Sequence, residues 1–133
     1  MQNSNTPYVV MTFEKFDKSV KKFVSKKKFS KLPKQVNELI QELKSNTFTG
    51  DVLTINNDPA YKVYKKRLPN EDTNVGKSNG YRVIYIVLQD YNIIGLLEVY
   101  YKKEQITLSN NYIEGLIDGF LLRLEKDSEQ SPQ

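Results

Sequence analysis

Tyr81-Arg82-Val83-Ile84-Tyr85-Ile86-Val87-Leu88, then Gln89-Asp90-Tyr91-Asn92, then Ile93-Ile94-Gly95-Leu96-Leu97-Glu98-Val99-Tyr100-Tyr101, is the stretch that decides the fold. Two apolar, β-branched and aromatic runs around four polar turn residues read as an antiparallel hairpin. In the first run Val83, Tyr85 and Val87 alternate with Ile84, Ile86 and Leu88, so both faces are apolar and the strand belongs in the middle of a sheet. A third strand precedes them at residues 61–68, where Lys62, Tyr64 and Lys66 share one face. With their polar ends included, the three strands span 61–68, 77–87 and 93–103. The intervening loop, 69–80, holds Pro69, Asn70, Asp72, Asn74, Gly76, Asn79 and Gly80; its length marks it as mobile or functional.

Upstream, residues 8–14 alternate as a half-buried strand, with Val9, Met11 and Phe13 on one face. The period then changes. Phe16, Val20, Phe23 and Val24 form the apolar stripe of a helix whose other faces carry Lys18, Lys21, Lys22 and Lys26, a face that is ordinarily just solvated. Leu32-Pro33 opens a second helix with the stripe Val36, Leu39, Ile40 and Leu43, ending near Ser45-Asn46. Two short amphipathic helices with a tight basic turn read as an antiparallel pair covering one sheet face. Residues 50–57 connect back, with room for a short strand at 52–55, and Asn56-Asn57-Asp58-Pro59 turns the chain. Downstream, Ser109 caps a last helix with the stripe Tyr112, Ile113, Leu116, Ile117, Phe120 and Leu121. Residues 1–7 and 127–133 are expected to be loose.

The predicted fold class is therefore α+β: one domain with its core at about 8–125, built on a small twisted, mainly antiparallel sheet of about four strands. An N-terminal helical hairpin packs one face and a C-terminal helix closes the structure. The 133 residues are one domain's worth.

Charge and missing residue types bound the chemistry. Lys and Arg number 20 against 16 acids, leaving +4, a balance that only mildly favours a polyanionic partner. There is no Cys and no His, which excludes thiolate chemistry, a Ser-His-Asp triad and the usual zinc ligand sets. No uncharged apolar run is long enough to span a membrane. The N-terminus lacks the basic and apolar regions of a secretory signal. A cytoplasmic protein without a cofactor is expected. Gly76-Lys77-Ser78 lacks the preceding glycine of a phosphate-binding loop. Glu98, Glu104, Glu114 and Asp118 are too scattered for an acid/base pair and read as surface solubility.

The cations at strand ends differ. Arg82 follows Gly80 by two residues where the backbone enters the sheet, and its fork suits a phosphate; the alternative is a structural pairing with Glu98 on the next strand. Tyr100-Tyr101-Lys102-Lys103 ends the following strand, and hairpin pairing returns it beside residues 80–82. With Lys62, Tyr64 and Lys66 on one face of the preceding strand, these residues describe a concave basic surface with tyrosines for stacking. Single-stranded nucleic acid requires such a surface, while an ordinary tyrosine-rich sheet edge would also account for it.

The ordered pieces Phe16…Lys21-Lys22-Phe23, Tyr61-Lys62-Val63…Arg67-Leu68, Gly76-Lys77-Ser78-Asn79-Gly80-Tyr81-Arg82-Val83-Ile84-Tyr85 and Leu96-Leu97-Glu98-Val99-Tyr100-Tyr101-Lys102-Lys103 resemble the RelE-type toxins of the RelE/ParE superfamily. The likeness runs over about residues 10–121. It implies a type II toxin that cleaves messenger RNA on the ribosome and is silenced by a cognate antitoxin protein. By that resemblance Arg82 steadies the phosphate in the transition state. Lys102, or Lys103, serves leaving-group protonation or charge stabilisation, and Lys62 contributes from the preceding strand. Lys65, Lys66, Arg67, Lys77, Tyr100 and Tyr101 would contact RNA. The chain departs from the pattern in having no tyrosine between Tyr101 and Tyr112. The same superfamily offers a ParE-like inhibitor of DNA gyrase, or a binding module without activity.

Overall fold

A computed structural model describes residues 7–55, 58–105 and 107–130. In chain order the elements are β1 (Val9–Thr12), α1 (Glu14–Lys26), α2 (Leu32–Lys44), β2 (Asp51–Leu53), β3 (Lys62–Leu68), β4 (Tyr81–Leu88), β5 (Ile93–Tyr101) and α3 (Asn110–Gln130). The fold is α+β, with an N-terminal helix pair and a C-terminal helix. The sheet has five strands in the order β1-β5-β4-β3-β2, one more than expected. The additional strand is β2, three residues long, paired with β3 over Asp51–Leu53 rather than 52–55. β1 lies parallel to β5, while the other pairings are antiparallel.

β4 is central and buried at all eight positions, as its two apolar faces require. Tyr81, Val83, Tyr85 and Val87 face the helical hairpin and meet Phe16, Phe23, Leu32, Leu39 and Leu43. Ile84, Ile86 and Leu88 face the other way, against Ile113, Leu116, Ile117 and Phe120 of α3. The sheet is thus the middle of three layers with a core on each side. Gly95 permits the second core, because a Cβ there would stand 2.4 Å from the Phe120 ring.

α1 buries Phe16 and Phe23, and α2 starts with Pro at its first turn and buries Leu32, Val36, Leu39 and Leu43. Between β4 and β5 the turn closes on Asn92 in the left-handed region at φ 53°, which Asn tolerates better than most side chains. The Ser109 hydroxyl accepts the Tyr112 N–H at 3.1 Å, capping α3. That helix runs on through Gln130, past the point at Asp127 where the chain was expected to loosen. Residues 1–6 and 131–133, and Asn56 and Asn57 of the expected turn, lie outside the described residues. Among the described residues no helix is long and apolar enough to cross a membrane.

Loop 69–80 is tied down rather than slack. Asn70 and Val75 form a two-way backbone bridge, and the Asn70 side chain accepts the N–H groups of Asp72 and Thr73. Gln35 of α2 donates to the Pro69 carbonyl at 2.6 Å, and Asp72 accepts the Lys31 N–H at 3.0 Å. The loop ends in a single 3-10 turn, Lys77–Asn79. Gly80 closes it where any Cβ would lie 2.1 Å from the Leu68 carbonyl.

Candidate nucleic-acid interface

Register sorts the cations by face. Arg67 of β3 stands directly across from Arg82 of β4, and Arg82 directly across from Tyr100 of β5. Tyr100 belongs to the α3 core, and Arg82 and Arg67 lie two and four residues from its members Ile84 and Val63, so all three share the face opposite the hairpin. Lys65 joins them, paired with Ile84 on one side and Asp51 on the other. Gly50, Asp51, Lys65, Lys66, Arg67 and Lys77 line a shallow depression of about 180 Å³. The Lys102 N–H donates to the Gly80 carbonyl at 2.9 Å, which brings Lys102 and Lys103 to the same end of the sheet.

Arg82 is 4% exposed, and its guanidinium is turned back on the chain. Nη1 donates to the carbonyls of Lys77 (2.8 Å) and Tyr81 (3.1 Å), and Nη2 to that of Ser78 (3.0 Å). The arginine fastens the 3-10 turn to the sheet. Burial, and then the like charge of Arg67, lower its pKa from the ordinary arginine value. The alternative pairing with Glu98 does not occur: the Leu97–Glu98 region is a β-bulge, which sets Glu98 opposite Ile84 and leaves Tyr100 opposite Arg82. Tyr100 is buried beside Arg82, and its hydroxyl bonds Thr107. Burial raises its pKa more than the arginine's charge lowers it.

Lys62 and Tyr101 are not brought together with these, and Lys66 borders the same depression but sends its ammonium to the other face. Lys62 pairs with Val87 at the far end of β3, five residues from Arg67 and so roughly 17 Å away at 3.4 Å per residue. Alternation also puts it on the hairpin side. Lys66 shares that side, where its Nζ donates to Thr49 Oγ1 and stands 3.9 Å from a Glu42 oxygen. Tyr101 lies under the hairpin, its ring 5.5 Å from both Phe29 and Tyr81 and only 6% exposed, at the margin of a cleft beside α1. A strand alternates strictly, so a run such as Tyr100-Tyr101 splits between two faces.

Two features escaped the linear reading. The first is the hairpin turn. Phe29 packs on Tyr81 and Tyr101, which places Lys26, Lys27, Lys28 and Lys31 at the same sheet end as Arg82 and Lys102. Lys27 there pairs with Glu104. The second is Glu98, which is buried rather than a surface acid. Its Oε1 accepts from Ser19 Oγ of α1 and from the Val99 N–H at 3.0 Å, and its Oε2 accepts from the Tyr112 hydroxyl of α3 at 3.0 Å. A lone acid inside the apolar run Leu96-Leu97-Glu98-Val99 was the available signal, since such a group is buried only when hydrogen-bonded. It sits in a cleft of about 860 Å³ between α1, β5 and the start of α3. Among the described residues no group of three or more His, Cys, Asp or Glu side chains is arranged to hold a metal ion. No protein-family model matches the chain, and no curated protein matches it.

Proposed function

We propose that this protein is a RelE-type, ribosome-dependent endoribonuclease of a toxin–antitoxin pair, cytoplasmic and held silent by a cognate antitoxin. The observation that carries the reading is the Arg67–Arg82 pair. Like charges directly across two strands repel, and among the described residues neither arginine has a carboxylate within ion-pair distance. Lys65 and Lys77 add to the same positive potential. An anion held by Arg67, Lys65 and Lys77 over the buried Arg82, such as a backbone phosphate, would relieve the repulsion.

In the proposed reaction the ribose 2′-oxygen passes its proton to solvent water and attacks the adjacent phosphorus. The 5′-oxygen leaves with a proton, and a 2′,3′-cyclic phosphate remains. Arg67 and the lysines stabilise the extra negative charge of the pentacoordinate phosphorus. Tyr100, with its raised pKa, is protonated at neutral pH and suits the donor's role rather than the base's.

A second reading rests on a specific observation: the guanidinium of Arg82 is already committed to three carbonyls. That favours an RNA-binding module in which Arg82 shapes the surface and no strand is cut. A translating extract separates the two. The nuclease reading expects messenger cut at ribosome-bound codons by the wild type and at least tenfold less cutting by Arg67→Ala, whose side chain is exposed. Intact messenger with salt-sensitive RNA binding would establish the second reading instead, and intact messenger with blocked gyrase supercoiling would overturn both. Coexpression with the adjacent gene checks for the antitoxin by copurification.

A further inference from the structure

We propose that the cleft between α1, the outer edge of β5 and the first turn of α3 is a guanine-nucleotide site, in which Glu98 reads the base and Lys22 holds the phosphate. The cleft arises because β1 stops pairing at Thr12, opposite Leu96. Beyond that point β5 has α1 and α3 as flanking walls in place of a neighbouring strand. Its volume of about 860 Å³ is in the range of small-ligand sites.

At its floor stands a 7% exposed carboxylate, with no cation among the described residues at ion-pair distance. One of its donors is fixed, the Val99 N–H. The other two are hydroxyls, one on each oxygen: Ser19 on Oε1 and Tyr112 on Oε2. Hydroxyls rotate, and Tyr112 is 38% exposed on the first turn of α3. Each carboxylate oxygen therefore has one exchangeable partner, and a planar group with two parallel N–H donors can replace both. Guanine presents such an edge in its N1–H and 2-amino groups. Adenine, cytosine and uracil each offer at least one acceptor there, which a carboxylate rejects.

An arginine side chain would also satisfy Glu98, and the walls decide against it. Ser19, Lys22, Phe23 and Lys27 lie on one side of α1 and its cap and line the cleft. At 1.5 Å per residue Lys22 is about 4.5 Å and Lys27 about 12 Å along the axis from Ser19. These positions bracket the reach from a base edge to its 5′-phosphate. Lys27 is engaged by Glu104, whereas Lys22 has no ion-pair partner among the described residues. Glu104 also lines the cleft and offsets Lys27, so Lys22 is the wall's uncompensated cation: it repels an entering guanidinium and attracts a ligand that ends in an anion. A donor edge, a planar ring and a phosphate together describe a guanine nucleotide.

The inference stands apart from strand cleavage, because mononucleotide binding is measured without a ribosome. Titration of the full chain with GMP, IMP and AMP by calorimetry should give GMP at least tenfold tighter than AMP. IMP, which lacks the 2-amino group, should fall between them. Glu98→Gln should bring GMP down to the AMP level, and Lys22→Ala should weaken both nucleotides alike. Should Glu98→Gln disturb packing between α1 and α3, Tyr112→Phe is the second variant. It keeps the carboxylate and removes a competing donor, so GMP should bind at least as tightly as to the wild type. The trinucleotide UGU binding more tightly than GMP would identify the ligand as a guanosine within a strand, and equal affinity a free nucleotide. Equal affinity for GMP and AMP, no binding at millimolar concentration, a preference for N-acetylarginine amide, or GMP selectivity surviving Glu98→Gln would each overturn the proposal.

Discussion

Replacing Arg82 by alanine separates a structural arginine from one that acts only on a ligand. Three carbonyls accept from its guanidinium, and bonds to a charged donor contribute about 1.5–3 kcal/mol each when dry. Lys77 and Ser78, which supply two of the acceptors, are exposed, so water can re-solvate those carbonyls after the change. About 1 kcal/mol per bond is the appropriate scale, or about 3 kcal/mol in all, before any relaxation of the 3-10 turn. For a chain of this size that corresponds to a fall in Tm of roughly 10 °C. The assay is thermal unfolding followed by circular dichroism, with Arg82→Lys alongside. Lysine keeps the charge but cannot span three acceptors in the fork geometry, so it should recover less than half of the loss. Hydrogen exchange should show the Lys77–Asn79 turn opening first. A Tm within about 2 °C of wild type for Arg82→Ala would refute this reasoning, and any accompanying loss of activity would then belong to ligand contact alone.

Gly95→Ala places a methyl group 2.4 Å from the Phe120 ring, which is itself 1% exposed and walled in by α3. Overpacking should cost about 1–3 kcal/mol, read as a lower denaturant midpoint at unchanged slope; a change under about 0.5 kcal/mol would contradict the packing. The Tyr112 hydroxyl is pushed up from 10.0 to about 12, first by burial and then by its bond to the Glu98 carboxylate. A tyrosine raised on folding contributes stability that is complete below pH 10 and lost as pH climbs through 12. Tyr112→Phe should therefore unfold less steeply than wild type across that alkaline window. Parallel curves from pH 10 to 12 would show that the hydroxyl is not coupled to folding.

Periodicity determined much of this architecture before any contact was known. Doubly apolar Tyr81–Leu88 had to be central, the stripes from Phe16 to Leu43 had to be a helical pair, and Ser109 had to start a helix. Each is a local consequence of where the chain can put its apolar side chains. The strand β2 was barely legible, because three residues carry almost no periodic signal and their pairing with β3 supplies the order.

The candidate site was legible only in part. That Arg67, Arg82 and Lys102 gather at one sheet end follows from a short hairpin turn and antiparallel register. That Lys62, Lys66 and Tyr101 fall on the other face or the other end follows from the two-residue repeat of a strand. Which groups remain available was decided by tertiary structure alone. Arg82 is occupied by carbonyls only one to five residues upstream, but it is the folded 3-10 turn that aims them at its guanidinium, and a bulge swings Glu98 out of register into a cleft between two helices that adjoin only in the folded chain. Hydrogen bonding and burial depend on neighbours brought in from tens of residues away, and a linear pattern does not carry that information.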